Sequence, residues 1–232
     1  PREPPMIHFE DHPLLHPVAF VARFERPISE VPTPEAVAQA LRQGSLDRDL
    51  PKGLGLQGLE EEERDALRKS TRALLRHGGY KPSGRGKPSS EYLVRASGEG
   101  DLPTINVIVD TCNALSLHAG LPISVVDLDR VSLPLRVATV EQGAYVFNAS
   151  GQEIRLDGLL CLADSEGPRA NAVKDCHATK THGDTRAVVA VVWAPMDHAA
   201  RGEATLEAYM GLLTTCGAQV ERVGPRPTSS RG

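Results

Sequence analysis

The stretch 105–129 constrains the fold more than any other part of the chain, because it combines a helical pattern, a stop and a strand. Apolar residues recur there at helical spacing and predict one buried face, formed by Ile108, Val109, Cys112 and Leu115. Asp101 suits the cap of this helix and Pro103 suits its first turn. Gly120 favours the left-handed conformation that ends a helix, and Pro122 prevents continuation. An aliphatic strand is predicted to follow, with Ile123, Val125 and Val126.

The predicted helix carries a second face, which is polar. Asn106, Asp110 and Asn113 are spaced by four and three residues, so a helix brings their side chains to one side. They offer hydrogen-bond donors and acceptors, and we treat all three as candidates for contact with a bound ligand. A buried polar face that ties neighbouring loops to the helix explains the same pattern. Both interpretations stay open.

The helix, turn and strand of this stretch resemble the B3/B4 domain of the phenylalanyl-tRNA synthetase beta subunit. That family has an Asn-x-x-x-Asp-x-x-Asn helix, a Gly-x-Pro turn and an aliphatic strand that ends in Asp-Leu-Asp. The matching residues here are Asn106, Asp110, Asn113, Gly120, Pro122, Asp127, Leu128 and Asp129. Two further matches, at 87–93 and at 162–168, extend the resemblance over about 81–192. The synthetase's catalytic and anticodon-binding modules have no counterpart, so the resemblance implies a stand-alone editing-type domain and not an aminoacylating enzyme.

The resemblance also implies the fold class. We expect an α/β fold with α+β character, in which a mixed β-sheet is flanked by helices. A chain of 232 residues is long enough to bury a substantial core. We place one domain at 1–223 and predict a disordered tail, rich in Pro, Ser and Arg, at 224–232.

Further elements are predicted from local patterns. The alternating run 18–24 predicts a strand, and the continuous apolar run 186–193 predicts a strand at the centre of a sheet. A short helix is expected at 34–41 with Thr33 as its cap. The stretch 169–184 is strongly polar and is predicted to be a loop.

Positive charge is concentrated in one region. The net charge of −4 argues against indiscriminate binding of polyanions, so a nucleic-acid partner requires a local basic patch. A helix predicted at about 59–77 and the loop after it supply one, with Arg64, Arg68, Arg72, Arg76, Lys81, Arg85 and Lys87. Contact with tRNA phosphates explains this pattern, and so does a solvated helix face with internal ion pairs.

The cysteine pattern and the hydropathy of the chain indicate its cellular compartment. The four cysteines are scattered and form no Cys-x-x-Cys pair, and no apolar run approaches the length of a membrane span. We therefore predict a cytoplasmic protein with reduced thiols. A metal site in 175–184 is conceivable, but the spacing of its Asp, Cys and His residues matches no familiar pattern. Neither a metal nor a cofactor is predicted.

The resemblance implies a hydrolytic chemistry. In the synthetase, this domain removes an incorrect amino acid from its tRNA by hydrolysing the ester. A ribose hydroxyl beside that ester helps to position water, so the protein has only to hold the ester, place a water and stabilise the oxyanion. Neutral polar side chains and backbone amides are sufficient for these tasks.

The family's site residues carry over only in part. Asn113 occupies the position of an asparagine that lines the family's editing pocket, Cys112 stands where the synthetase has threonine, and Ser124 replaces a pocket histidine. The glutamate that reads a tyrosine hydroxyl has no match, since Ala178 falls near its position. The segment 174–180 instead resembles free-standing members, with Thr179-Lys180 as its anchor. We predict His177 and Lys180 as contacts for water or the oxyanion, and Thr179 as a substrate contact.

Three hypotheses follow. The first is an aminoacyl-tRNA deacylase that binds the aminoacylated end of a tRNA and acts in trans on mischarged tRNA. The second is a non-catalytic module that binds RNA or an aminoacyl group, which the missing histidine and glutamate favour. The third is an amino-acid sensor that has kept the pocket and lost RNA binding.

Overall fold

The computed structural model describes residues 7–224 of the 232-residue chain. Its helices there are α1 (Glu35–Ala40), α2 (Glu61–Arg76), α3 (Ser89–Glu99), α4 (Val107–Ala119) and α5 (Ala199–Thr215). Its strands there are β1 (Ile7–Phe9), β2 (Leu15–Arg23), β3 (Ile123–Asp127), β4 (Leu135–Val140), β5 (Ala144–Val146), β6 (Glu153–Arg155), β7 (Leu159–Asp164), β8 (Gly167–Asn171), β9 (Ala187–Pro195) and β10 (Gln219–Val223). The predicted tail, apart from Gly224, lies outside the described residues.

The strands form two four-stranded sheets and a small ribbon. The first sheet has the order β10-β2-β9-β3, and all its neighbours are antiparallel. The second has the order β1-β4-β7-β8 and is mixed, because β1 and β4 run parallel while the other pairs are antiparallel. β5 and β6 pair with each other. The predicted strand at 186–193 is confirmed as an interior strand of the first sheet, buried along its whole length.

The first sheet lies between two cores, which explains its apolar sequence. On β2, Val18 and Phe20 face the core shared with the helices, whereas Ala19 and Val21 face the core shared with the second sheet. On β9 the same alternation places Val192 toward the helices and Trp193 toward the second sheet. The architecture is therefore α+β, with a layer of helices, a buried sheet and a mixed sheet. No helix within residues 7–224 has both the length and the apolar character that a bilayer crossing requires.

The structure corrects three local predictions. α4 begins at Val107 and not near Asp101, because Asn106 provides the cap. Thr33 does not cap α1, since Pro34 occupies the cap position and Thr33 donates its hydroxyl hydrogen to Asp110. The predicted polar loop at 169–184 begins inside strand β8, because Ala170 and Asn171 pair with Leu162 and Cys161 of the preceding strand β7.

Candidate substrate-binding cavity

A cavity of about 390 Å³ opens beside α4 and is the strongest candidate for a ligand site. α3, α4, the loop before α4, β3 and the segment after β8 form its walls. It is lined by Ser89, Tyr92, Leu93, Ala96, Leu102, Pro103, Ile105, Val109, Cys112, Asn113, Ser116, Ile123, Val125, Asp175, Lys180 and Thr181. Its volume falls in the usual range for small-molecule sites, about 300–1,000 Å³.

Asn106 fixes the start of the helix that forms one wall. Its side-chain oxygen accepts hydrogen bonds from the backbone N–H groups of Ile108 and Val109, at 3.1 and 3.0 Å. These bonds satisfy donors that have no partner inside the helix. The Asn106 amide nitrogen donates to the Thr181 hydroxyl at 3.3 Å and so ties the helix start to the opposite wall. Asn106 is thus a helix cap at the edge of the site.

Asp110 binds two neighbouring loops to α4 and does not line the cavity. Its carboxylate is buried and accepts hydrogen bonds from the Thr33 hydroxyl and the Ile105 backbone N–H, both at 2.7 Å. Both contacts hold loops against α4, which is the alternative that the polar pattern left open. Of the three polar residues on the predicted face, only Asn113 lines the cavity.

Asn113 and Lys180 line the cavity from different parts of the fold, α4 and the segment after β8. Asn113 is half-buried on α4, and in residues 7–224 its side-chain amide has no hydrogen-bond partner. Lys180 is exposed, and its side chain lies at the cavity mouth. A free amide and an ammonium group can both donate to an oxygen that carries negative charge.

A tight turn after β8 carries an acidic residue, Asp175, into the same cavity. Asn171 builds this turn, because its side-chain oxygen accepts from the backbone N–H groups of Val173 and Lys174 at 2.8 and 3.0 Å. The Asp175 carboxylate accepts from the backbone N–H groups of Asn171 and Val125, both at 3.3 Å. Asp175 therefore has a fixed position between the turn and β3.

Burial dominates the electrostatics of Asp175. It raises the pKa of the carboxyl to about 6, against the opposing effects of the Ser124 hydroxyl, two backbone N–H groups and the Lys180 ammonium. Lys180 forms no ion pair with it, and no other Lys, Arg or His of residues 7–224 does so. The cavity thus contains a carboxylate without a salt-bridge partner. In the sequence, the polar pattern of 175–184 indicates Asp175 only as a conceivable metal ligand.

Ser124, Thr179 and His177 lie outside the cavity lining. Ser124 is buried and points away, since its hydroxyl donates to the Asn171 carbonyl at 2.9 Å and accepts from the Trp193 indole at 2.8 Å. Thr179 is fully buried, and its hydroxyl lies 3.3 Å from the Cys176 carbonyl. His177 is exposed on the surface of the same segment. Lys180 is thus the one member of the predicted 177–180 group that reaches the cavity.

The predicted basic patch divides into two parts. On α2, Arg68 pairs with Asp65 at 2.9 Å, and Arg72 pairs with Glu91 through two hydrogen bonds. Arg64 is half-buried, with Nη1 3.4 Å from the Leu117 carbonyl at the end of α4. Four cations are exposed and form no ion pair within the described part of the chain: Arg76, Lys81, Arg85 and Lys87.

Metal binding has no support in the described residues. No group of three or more His, Cys, Asp or Glu side chains in 7–224 converges as ligands of an ion. The residues of 175–184 diverge instead: Asp175 faces the cavity, while His182 contacts Asp127 at 3.2 Å.

Fold and site together define an α+β domain with an open, largely apolar ligand cavity between its helices and one sheet edge. The family model of the B3/4 domain matches residues 83–206, which is more than half of the chain and includes the whole of α3, α4 and the Asp175 turn. The chain therefore belongs to the B3/4 domain family, and the resemblance predicted from the sequence is confirmed. A search among curated proteins gives no match.

Proposed function

We propose that the chain binds the aminoacylated 3′ end of a tRNA and hydrolyses the ester of a mischarged aminoacyl-tRNA. One observation carries the proposal: Asn113, which occupies the position of the family's editing asparagine, lines an open cavity sized for an amino acid. Two further observations support this proposal. The chain belongs to the B3/4 domain family, and within 7–224 the Asn113 amide has no hydrogen-bond partner.

Hydrolysis of the ester requires few groups from the protein. A water oxygen attacks the ester carbonyl carbon, the carbonyl oxygen becomes an oxyanion, and the bond to the ribose oxygen then breaks. The ribose hydroxyl leaves with a proton, and the free amino acid is the second product. In this proposal the Asn113 amide and the Lys180 ammonium donate to the oxyanion, and the neighbouring ribose hydroxyl positions the water.

Water is the nucleophile in this proposal because the one thiol in the cavity wall is inert. Burial raises the pKa of Cys112 well above its usual range, so the thiol stays protonated. Its sulfur also lies 3.6 Å from the Ile123 carbonyl, to which it donates. A covalent enzyme intermediate at Cys112 is not part of the mechanism.

The loop 81–87 is the proposed contact for tRNA phosphates. Lys81 and Arg85 line an open basic cleft together with Lys174, one residue before Asp175. Burial lowers the pKa of Lys174, and the nearby charges of Arg85 and Lys180 lower it further. These like charges, unpaired among the residues described, form a path from the loop to the cavity mouth. Phosphates would neutralise them.

The test is deacylation of a panel of mischarged tRNAs. We expect hydrolysis by the wild-type protein and a loss of about 100-fold in rate for Asn113→Ala, the size measured for one oxyanion donor. Asn148→Ala is the matched control, since that amide lies in the β5–β6 turn and bonds only within it. Unchanged thermal unfolding of Asn113→Ala would show that its fold is intact. No hydrolysis of any tested tRNA would refute the proposal.

A second candidate function is non-catalytic binding of RNA or an aminoacyl group. Ser124 favours it, because the residue at the position of the family's pocket histidine points to Trp193 and leaves the cavity without that side chain. This function predicts tRNA binding that weakens steeply with salt, and no hydrolysis.

A further inference from the structure

Asp175 has no part in the hydrolysis proposed above, although it lines the same cavity. Its two oxygens accept backbone hydrogen bonds at 3.3 Å, which is long for a carboxylate, and no cation of residues 7–224 pairs with it. A partly buried carboxylate without a positively charged partner is costly, and a cationic ligand group relieves that cost.

The rest of the cavity wall is largely apolar. The apolar members come from four elements: Leu93, Ala96, Leu102, Ile105, Val109, Ile123 and Val125. Two polar side chains of the lining, on α4, already form hydrogen bonds within the protein. The Ser116 hydroxyl donates to the Leu121 carbonyl at 2.7 Å, and the Cys112 thiol donates to the Ile123 carbonyl. A ligand hydroxyl or charge placed there would lose its hydrogen bonds to water without replacement.

We infer that this cavity selects an amino acid with a free α-ammonium group and an apolar side chain, and that Asp175 binds the ammonium. The ammonium would lie against the Asp175 carboxylate, and the side chain would lie against the wall formed by α3, α4 and β3. This places the carbonyl carbon near Asn113 and Lys180, which line the same cavity. This inference gives the substrate class of the proposed deacylase. It rests on the proposed function only in that the amino acid is bound as a tRNA ester.

Lys180 does not replace the ligand ammonium. It influences the Asp175 carboxyl but forms no ion pair with it, and it remains exposed at the mouth. Tyr92 and Ile105 flank the same opening with 70% and 63% of their surfaces exposed. The mouth can therefore hold the ribose end of a substrate while the ammonium and side chain lie further in.

The probe is leucinamide, measured by calorimetric titration against N-acetyl-leucinamide. Leucinamide carries the ammonium and the apolar side chain without an ester, so binding is observed apart from hydrolysis. We expect saturable binding of leucinamide and at least about tenfold weaker binding of the acetylated compound, the loss of one charged hydrogen bond. Lysinamide and glutaminamide should also bind at least about tenfold more weakly.

Variants test whether the Asp175 carboxylate causes the preference for leucinamide over its acetylated form. Asp175→Asn should weaken leucinamide binding about tenfold and remove the difference between leucinamide and its acetylated form. Asp129→Asn is the matched control, since Asp129 is exposed and lies outside the cavity. If Asp175→Asn fails to fold, the comparison of the two compounds on the wild-type protein decides.

The outcomes separate this inference from the proposed function. Equal binding of leucinamide and N-acetyl-leucinamide, binding of neither, or tighter binding of lysinamide would overturn the inference. Hydrolysis of mischarged tRNA that is insensitive to N-acetylation of the aminoacyl group would overturn it and leave the deacylase intact. Leucinamide binding as expected, without hydrolysis of any mischarged tRNA, would support the inference and refute the deacylase.

Discussion

Arg72 on α2 and Glu91 on α3 are joined by two hydrogen bonds, from Nε to Oε1 at 2.6 Å and from Nη2 to Oε2 at 2.5 Å. Both side chains are largely buried, with 27% and 15% exposed. The bond to Glu91 raises the pKa of Arg72 above its ordinary value. An arginine from the predicted RNA-binding strip is thus used to hold two helices together.

Arg72→Ala should therefore reduce stability and leave RNA binding unchanged. It removes both hydrogen bonds and leaves the Glu91 carboxylate without its partner, so we expect the free energy of unfolding to fall by about 1–3 kcal/mol. Urea denaturation measures this change. Arg76→Ala, one turn later on the exposed side, is the control and should cost under about 0.5 kcal/mol. Weaker tRNA binding by Arg72→Ala in the folded state would contradict the assignment.

The loop cations should control the salt dependence of tRNA binding. Replacing Lys81, Arg85 and Lys87 by alanine removes three exposed charges that form no ion pair in residues 7–224. Each lost phosphate contact lowers the slope of log K against log salt by about 0.7 for a single strand, so we expect a decrease of about 2. Binding measured between low and moderate salt tests this. An unchanged slope would show that the phosphates lie elsewhere.

Local sequence patterns predict the helix, turn and strand of 105–129 well, because the residues that determine them are close together in the chain. The apolar spacing in 105–119 and the stop at Gly120 depend on neighbours within one or two turns. The predicted start of α4 near Asp101 is wrong because Asn106, interpreted only as part of the polar face, provides the cap. Asn106 is itself a preferred cap directly before the first helical residue, so the signal was present in the sequence.

Strand geometry alone predicts that the Ser124 side chain faces away from the cavity. Side chains alternate across a strand, so a cavity lined by Ile123 and Val125 requires the residue between them to face the other side. Alignment with the family's histidine position carries no such geometric information. Local patterns could not predict the position of Asp175 beside β3, since its carboxylate accepts a hydrogen bond from Val125, which is 50 residues away. The Arg72–Glu91 pair is non-local for the same reason.

Gly158→Ala should destabilise the fold strongly. The chain after α2 and the turn before β7 approach so closely at Gly78 and Gly158 that a Cβ on Gly158 would lie 2.1 Å from the Gly78 carbonyl oxygen. Gly158 also has φ +73°, in the left-handed region. Gly151→Ala is the matched control, with φ +76° and nothing within 4 Å of the added carbon. We expect a loss of about 1 kcal/mol for the control and more than about 3 kcal/mol for Gly158→Ala in thermal unfolding.

Binding of leucinamide should have a pH optimum set by two groups. Asp175 has a pKa of about 6 in the folded protein, so below pH 6 the carboxyl is protonated and the ammonium loses its partner. The affinity should then fall by about tenfold in total as the pH decreases through this value, the same loss as in Asp175→Asn. Above about pH 8 the ligand's α-amino group loses its proton, and the affinity falls again. Titration calorimetry between pH 5 and 9 measures both limbs.

Asp175→Asn should remove the acid limb, because the amide does not titrate. The alkaline limb should flatten as well, because the ligand ammonium no longer has the carboxylate as its partner in this variant. Besides the Lys180 ammonium, the ionisable groups around Asp175 have pKa values raised by burial and stay neutral below pH 8: Cys112, Cys161, Tyr145 and Tyr209. They add no further step in this range. An acid limb that survives in Asp175→Asn would show that another group binds the ammonium.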